Sequence, residues 1–110
     1  MQNAKKERLK KAGWQVGSAK EFLGLSDEEA ALVEMKLALA GRLKERRLAR
    51  ELTQGDFAKQ LGSSQSRVAK MEAADATVSI DLLVRSLLVL GATRAEVARI
   101  IGQKAPTPAA

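Results

Sequence analysis

The stretch Thr53-Gln54-Gly55-Asp56-Phe57-Ala58-Lys59-Gln60-Leu61-Gly62-Ser63-Ser64-Gln65-Ser66-Arg67-Val68-Ala69-Lys70-Met71-Glu72 constrains the fold more than any other part of this chain. Thr53 is suited to cap a short helix, because its hydroxyl can accept a free amide N–H of the opening turn. Phe57 and Leu61 lie four residues apart and bury one face of that helix, while the small Ala58 lets a second helix cross closely. Gly62 stands where the chain must turn sharply, a place for a positive φ. Ser63 or Ser64 then caps a second helix anchored inward by Val68 and Met71. The spacing predicts helices over residues 54–61 and 64–73, joined by a tight turn.

The flanks are helical by the same criteria. Ser26 and Glu29 form a capping-box pattern, with Asp27 and Glu28 between them, and open a long helix running to about residue 50. Leu32, Met35, Leu39 and Leu43 recur at helical spacing and are expected to bury together. Val33, Leu37 and Ala40 make a second, partial stripe that has to be covered by the residues around Phe22 or by a partner chain. Gly41 inside this helix costs about 1 kcal/mol relative to Ala, which predicts close packing or a bend there. Residues 75–79 read as a loop, and residues 80–90 as a helix with Ile80, Leu83, Leu87 and Leu90 on one face, ended by Gly91. Thr93 and Glu96 box the start of a last helix, whose Val97, Ile100 and Ile101 serve either the core or a dimer interface.

Toward the N-terminus, Lys5, Lys6, Arg8, Lys10 and Lys11 form a basic arm. Trp14, Val16, Phe22, Leu23 and Leu25 form an apolar cluster, with Ser18 and Glu21 as a cap and Gly24 as a helix stop. Trp14 and Phe22 serve either to bind a partner or to cover the long helix. Three parts follow: residues 1–25 as a basic arm and short helical extension, residues 26–102 as the folded domain, and residues 103–110, with Pro106 and Pro108, as a tail.

Composition supports an all-α domain. The chain is 45% hydrophobic, but with two Phe, one Trp and no Tyr its core is aliphatic, which suits packed helices better than a β-sandwich. There is no Cys and no His, which removes disulfides, thiol nucleophiles, the commonest general base and the commonest metal ligand. No metal, cofactor or enzymatic activity is therefore expected. The absence of any long apolar run or signal-type N-terminus predicts a cytoplasmic protein without a membrane partner. The net charge of +6 is concentrated at the N-terminus, where residues 1–25 carry six Lys/Arg against two Glu. A basic excess favours polyanions.

The polar residues of the central pair point to one polyanion, double-stranded DNA. In two-helix motifs of this kind the second helix enters the major groove and its N-terminal side chains meet base edges. Gln pairs bidentately with adenine, and Arg or Lys with guanine. Gln65, Ser66, Arg67 and Lys70 are the base-reading candidates, and Gln54, Ser64 and Lys59 the phosphate-positioning ones.

These residues resemble the phage-repressor, or XRE, family of helix-turn-helix domains. The likeness runs over residues 35–102. It takes in Leu39, Leu43 and Arg47, then Leu52-Thr53-Gln54, Phe57-Ala58, Leu61 to Val68 and Met71-Glu72, then Ile80 to Leu83 and Leu90-Gly91. It implies a five-helix DNA-binding domain that acts as a homodimer on a palindromic operator and represses transcription. Residues 16–25 also look like HigA-like antitoxins, which implies as an alternative the neutralisation of a RelE-like toxin by protein binding. Two positions depart from the family pattern. Glu51 stands where Gly is common, so the left-handed helix end there is either absent or strained by about 1 kcal/mol. Asp75-Ala76 replaces a Gly-containing turn, which leaves that loop's geometry open.

Overall fold

Every helix of the domain starts at a hydroxyl. The computed structural model describes residues 23–103 and contains, among them, α1 (Asp27–Ala49), α2 (Gln54–Leu61), α3 (Gln65–Glu72), α4 (Ile80–Val89) and α5 (Arg94–Gly102). Ser26, Thr53, Ser64, Ser79 and Thr93 are their N-caps, accepting from the amides of Glu29, Asp56, Arg67, Leu82 and Glu96. At α1, α2 and α5 the carboxylate three residues on returns the bond to the cap's own N–H. Each such cap stabilises its helix by about 1 kcal/mol, so five short starts are specified locally before any packing.

Packing is organised around the C-terminal half of α1. Leu39 and Leu43 are fully buried there, and Phe57, Val68, Met71, Leu83, Leu87 and Leu90 close over them from the other helices. Helix α1 packs on α4, α5 and α3, and α2 packs on α3. The α2–α3 pair is thereby held on a platform made by α1 and α4. Val97 and Ile100 are buried in this same core and Ile101 packs against it, so the core reading of these three is the one the fold adopts. Ser86 is wholly buried with its hydroxyl donating to the Leu82 carbonyl at 2.8 Å.

The N-terminal half of α1 departs from expectation. Leu32 is 50% exposed, Met35 is half-buried, and Leu37 of the second stripe is 42% exposed. The reason is length. At 23 residues α1 spans about 34 Å, whereas α4 and α5, with ten and nine residues, span about 15 Å and 13 Å and cover only its far end. Gly41 is also not explained by packing: no atom lies within 4 Å of where its Cβ would stand, and α1 runs unbroken through it.

Two helix ends turn left-handed without glycine. Glu51 takes φ 57° and Ala74 takes φ 53°. In each case a bond closes around the residue, from Leu52 N–H to the Arg47 carbonyl (3.2 Å) and from Asp75 N–H to the Lys70 carbonyl (3.0 Å). These bonds offset the strain by pairing amides and carbonyls at the helix ends; the Arg47 carbonyl accepts from the Arg50 amide (3.1 Å) as well. The basic arm, the Trp14–Val16–Phe22 cluster with its Ser18 cap, and residues 104–110 lie outside the described residues.

Candidate nucleic-acid interface

The turn between α2 and α3 fixes the geometry of the candidate site. Gly62 adopts φ 66°, and Ser63 N–H closes onto the Ala58 carbonyl at 2.8 Å. Ser64 then starts α3, its hydroxyl accepting from the Arg67 amide at 3.2 Å and lying 3.3 Å from the Ser66 hydroxyl. Val68 and Met71 are fully buried, which fixes the rotation of α3 and leaves Gln65, Ser66, Arg67 and Lys70 exposed together. Helix α3 alone among the five lacks an acidic residue in its first turn. The partial positive charge of its N-terminus is therefore not offset by a carboxylate of its own.

Behind this surface lies a polar chain reaching into the core. Glu72 receives the Arg47 guanidinium at two points, Nε to Oε2 at 2.5 Å and Nη2 to Oε1 at 3.1 Å. Side-chain exposure is 8% for Arg47 and 4% for Glu72, so the pair is almost out of water. The hydrogen bond to Glu72 raises the Arg47 pKa above its ordinary value, against the opposing effect of burial. Arg47 Nη1 also donates to the Leu52 carbonyl at 2.7 Å, tying α1 to the entry of α2. Gln54 Nε2 donates to Glu72 Oε1 at 3.2 Å, and Gln54 Oε1 accepts from Gln65 Nε2 at 3.1 Å. Gln65 is thus held by the first residue of α2, which is itself held by the buried ion pair.

The expected site residues are distributed as follows. Gln54, Ser64, Gln65 and Ser66 are brought together at the junction of the two helices, and Arg67 and Lys70 share the exposed side of α3. Lys59 is exposed in the last turn of α2. Arg47 and Glu72, which shape the site from within, were not read from the sequence as a pair. The signal available for one of them was that Arg47 continues the Leu39–Leu43 stripe at the next four-residue step. Below α3, Asp75 accepts from the Thr77 hydroxyl at 2.7 Å and its N–H at 2.9 Å. These bonds, with Lys70 and Lys36 nearby, hold its carboxyl below the usual value.

Among the described residues there is no His/Cys/Asp/Glu group able to hold a metal, and no helix long and apolar enough to cross a membrane. Two short helices crossing over a left-handed glycine, the second with a polar exposed face, define the class of helix-turn-helix DNA-binding domains. The chain belongs to the helix-turn-helix domain family, whose profile matches residues 38–100, more than half of it and part or all of each of the five helices. No curated protein and no solved structure matches the chain.

Proposed function

We propose that residues 26–102 form a sequence-specific DNA-binding domain of XRE type and that the protein is a transcriptional regulator, a repressor acting as a homodimer on a palindromic operator. In this reading α3 enters the major groove with Gln65, Ser66, Arg67 and Lys70 toward the base edges. Ser64 and Lys59 meet phosphates. Gln54 has a double role, since its side chain is engaged on both sides in the free domain and so positions Gln65 while standing at the α2 N-terminus. The observation that carries the reading is the pre-ordered Gln54–Gln65 contact at 3.1 Å on an otherwise exposed helix face. A base-reading side chain fixed before binding loses less freedom on binding.

Binding-site selection from random duplex DNA, followed by a salt titration on the winning sequence, tests this directly. The expected result is an enriched two-fold symmetric site with affinity falling steeply with salt. A library with no enriched sequence overturns it and leaves the protein-inhibitor role of a toxin–antitoxin pair as the working alternative.

A further inference from the structure

Consecutive arginines of α1 face different neighbours. Arg47 turns to Glu72 of α3, while Arg46 donates through Nη2 to Glu96 of α5 at 2.6 Å. The α1–α5 side of the domain is thereby set apart from the exposed side of α3. Two cavities of about 330 and 370 Å³ open along it, and because Arg42, Glu96 and Ile100 line both, they form one groove. Volumes of this size fall in the range of small-molecule sites, roughly 300–1,000 Å³.

The two ends of the groove differ in chemistry. Toward the end of α1 its wall is apolar, made by the buried Leu87, Ala92 and Ile100 with Ala49 beside them. At the other end Arg42, Arg99 and Gln103 gather next to Ile100. The acidic groups of the groove do not cancel these cations. Glu96 is committed to Arg46. Glu45 reaches Arg42 only at 3.8 Å, with both side chains more than half exposed, a pairing worth little in water. Arg99 is in no ion pair among the described residues. Gln103 Oε1 accepts from Arg42 Nη2 at 3.4 Å, so the amide NH2 of Gln103 can donate to a ligand. Every cation lining the groove is an arginine, the side chain whose planar fork meets a carboxylate or phosphate at two points.

We propose that the α1–α5 groove binds a small organic anion with an apolar body. A carboxylate or phosphate head lies between Arg42 and Arg99, and the body lies over Leu87, Ala92 and Ile100. The reach along α1 from Arg42 to Ala49 is about 10 Å, enough for a short acyl chain or one aromatic group. The proposal does not rest on the DNA-binding reading, since none of these residues belongs to α2 or α3.

Octanoate and octyl phosphate, titrated into the intact isotope-labelled protein and followed by amide resonances, are the probes. Octanol supplies the body alone and acetate the head alone. The expected result is a saturable, one-site change confined to α5 and the facing part of α1 with at least one of the two anions. Octanol and acetate are expected to bind about tenfold more weakly or worse. Which anion binds more tightly decides between the two heads. Arg42→Gln combined with Arg99→Gln is expected to weaken binding of that anion about tenfold or more. Arg85→Gln, which removes an exposed cation from α4 outside the groove, leaves it unchanged. Arg42 and Arg99 are both exposed, so the double variant keeps its fold, which circular dichroism checks. Ala49→Trp fills the apolar end from an exposed position and is expected to lower affinity for the anions and for octanol alike. Octanol binding as tightly as the anions overturns the proposal, as does a response spread over the whole surface or an affinity that survives both variants. The absence of a saturable response to either anion also overturns it.

Discussion

Arg47 of α1 and Glu72 at the end of α3, 25 residues apart, form a two-point ion pair almost completely shielded from water. Removing two charges from water costs several kcal/mol for each, and here the cost is offset by the paired bonds between the two groups and by the further bonds each makes. Arg47 also serves the Leu52 carbonyl, and Glu72 also serves Gln54. Arg47→Met or Glu72→Leu alone is expected to destabilise the domain by about 3–5 kcal/mol, because the remaining charge is buried without its partner. Arg47→Met combined with Glu72→Leu is expected to cost far less, about 1 kcal/mol or below. Urea denaturation of the four proteins in a double-mutant cycle checks this; additive losses would show that the pair is not coupled.

In the proposed DNA-binding reading Gln54 acts on the bases through Gln65, with which it shares a hydrogen bond, and this has a measurable signature. Gln65→Ala is expected to lower discrimination at one base position by about 1–3 kcal/mol. Gln54→Ala is expected to lower it at the same position, and the double variant to lose no more discrimination than Gln65→Ala alone. Arg67→Ala should relax a different position by a similar amount, whereas Lys59→Ala should weaken all sequences alike and reduce the salt slope by about one unit. Binding isotherms on the selected site and its single-base variants separate these outcomes. Unchanged preference in the Arg67→Ala protein would remove α3 as the reading helix.

The parts of this molecule legible in the sequence are those specified over three or four residues. Ser26 with Glu29 and Thr93 with Glu96 announce helix starts because a cap and its answering carboxylate lie within one turn. Thr53 was readable as a cap, but Asp56, a shorter acid that closes the box equally well, was not. The burial of Phe57, Val68 and Met71 followed from periodicity. What periodicity does not carry is where neighbouring helices stop. Leu32 lies on the same stripe as Leu39 and Leu43, yet it projects past the ends of α4 and α5 into solvent. The Arg47–Glu72 pair is opaque for a related reason: it depends on α1 and α3 meeting across the core, and each residue alone looks like an ordinary surface charge.

Backbone conformation separates the glycines into two kinds. Gly41 is exposed in the middle of α1 with open space beside it, so Gly41→Ala is expected to stabilise the domain by about 0.5–1 kcal/mol. Gly62, at φ 66°, has equal room but the wrong backbone, and Gly62→Ala is expected to cost about 1 kcal/mol. The converse applies at Glu51 and Ala74, where Glu51→Gly and Ala74→Gly each relieve a left-handed residue and are expected to gain up to about 1 kcal/mol. Thermal melts of the four single variants check both signs. A Gly41→Ala protein less stable than the parent would mean that α1 is bent or packed at that point.

Acid is expected to unfold the domain through its helix caps. Glu29, Asp56 and Glu96 all have lowered pKa values, from ordinary values of 4.5, 3.8 and 4.5. In each the largest cause is the backbone N–H of the capping residue, which bonds the ionised carboxylate. A folded value below the unfolded one means that the unfolded chain takes up protons first as pH falls. The stabilisation from these groups is therefore fully present above the ordinary carboxylate range and is lost progressively as pH drops through it and below. With no histidine, no side chain of ordinary pKa titrates between about pH 5 and 8, so stability should be flat over that interval. Melting temperatures measured from pH 8 downward should thus hold level and then fall steeply below about pH 4.5. Asp56→Asn, which retains an acceptor but cannot ionise, should melt lower than the parent at neutral pH and converge with it in acid. A constant gap between the two proteins across the whole range would show that the Asp56 charge contributes nothing to the α2 cap.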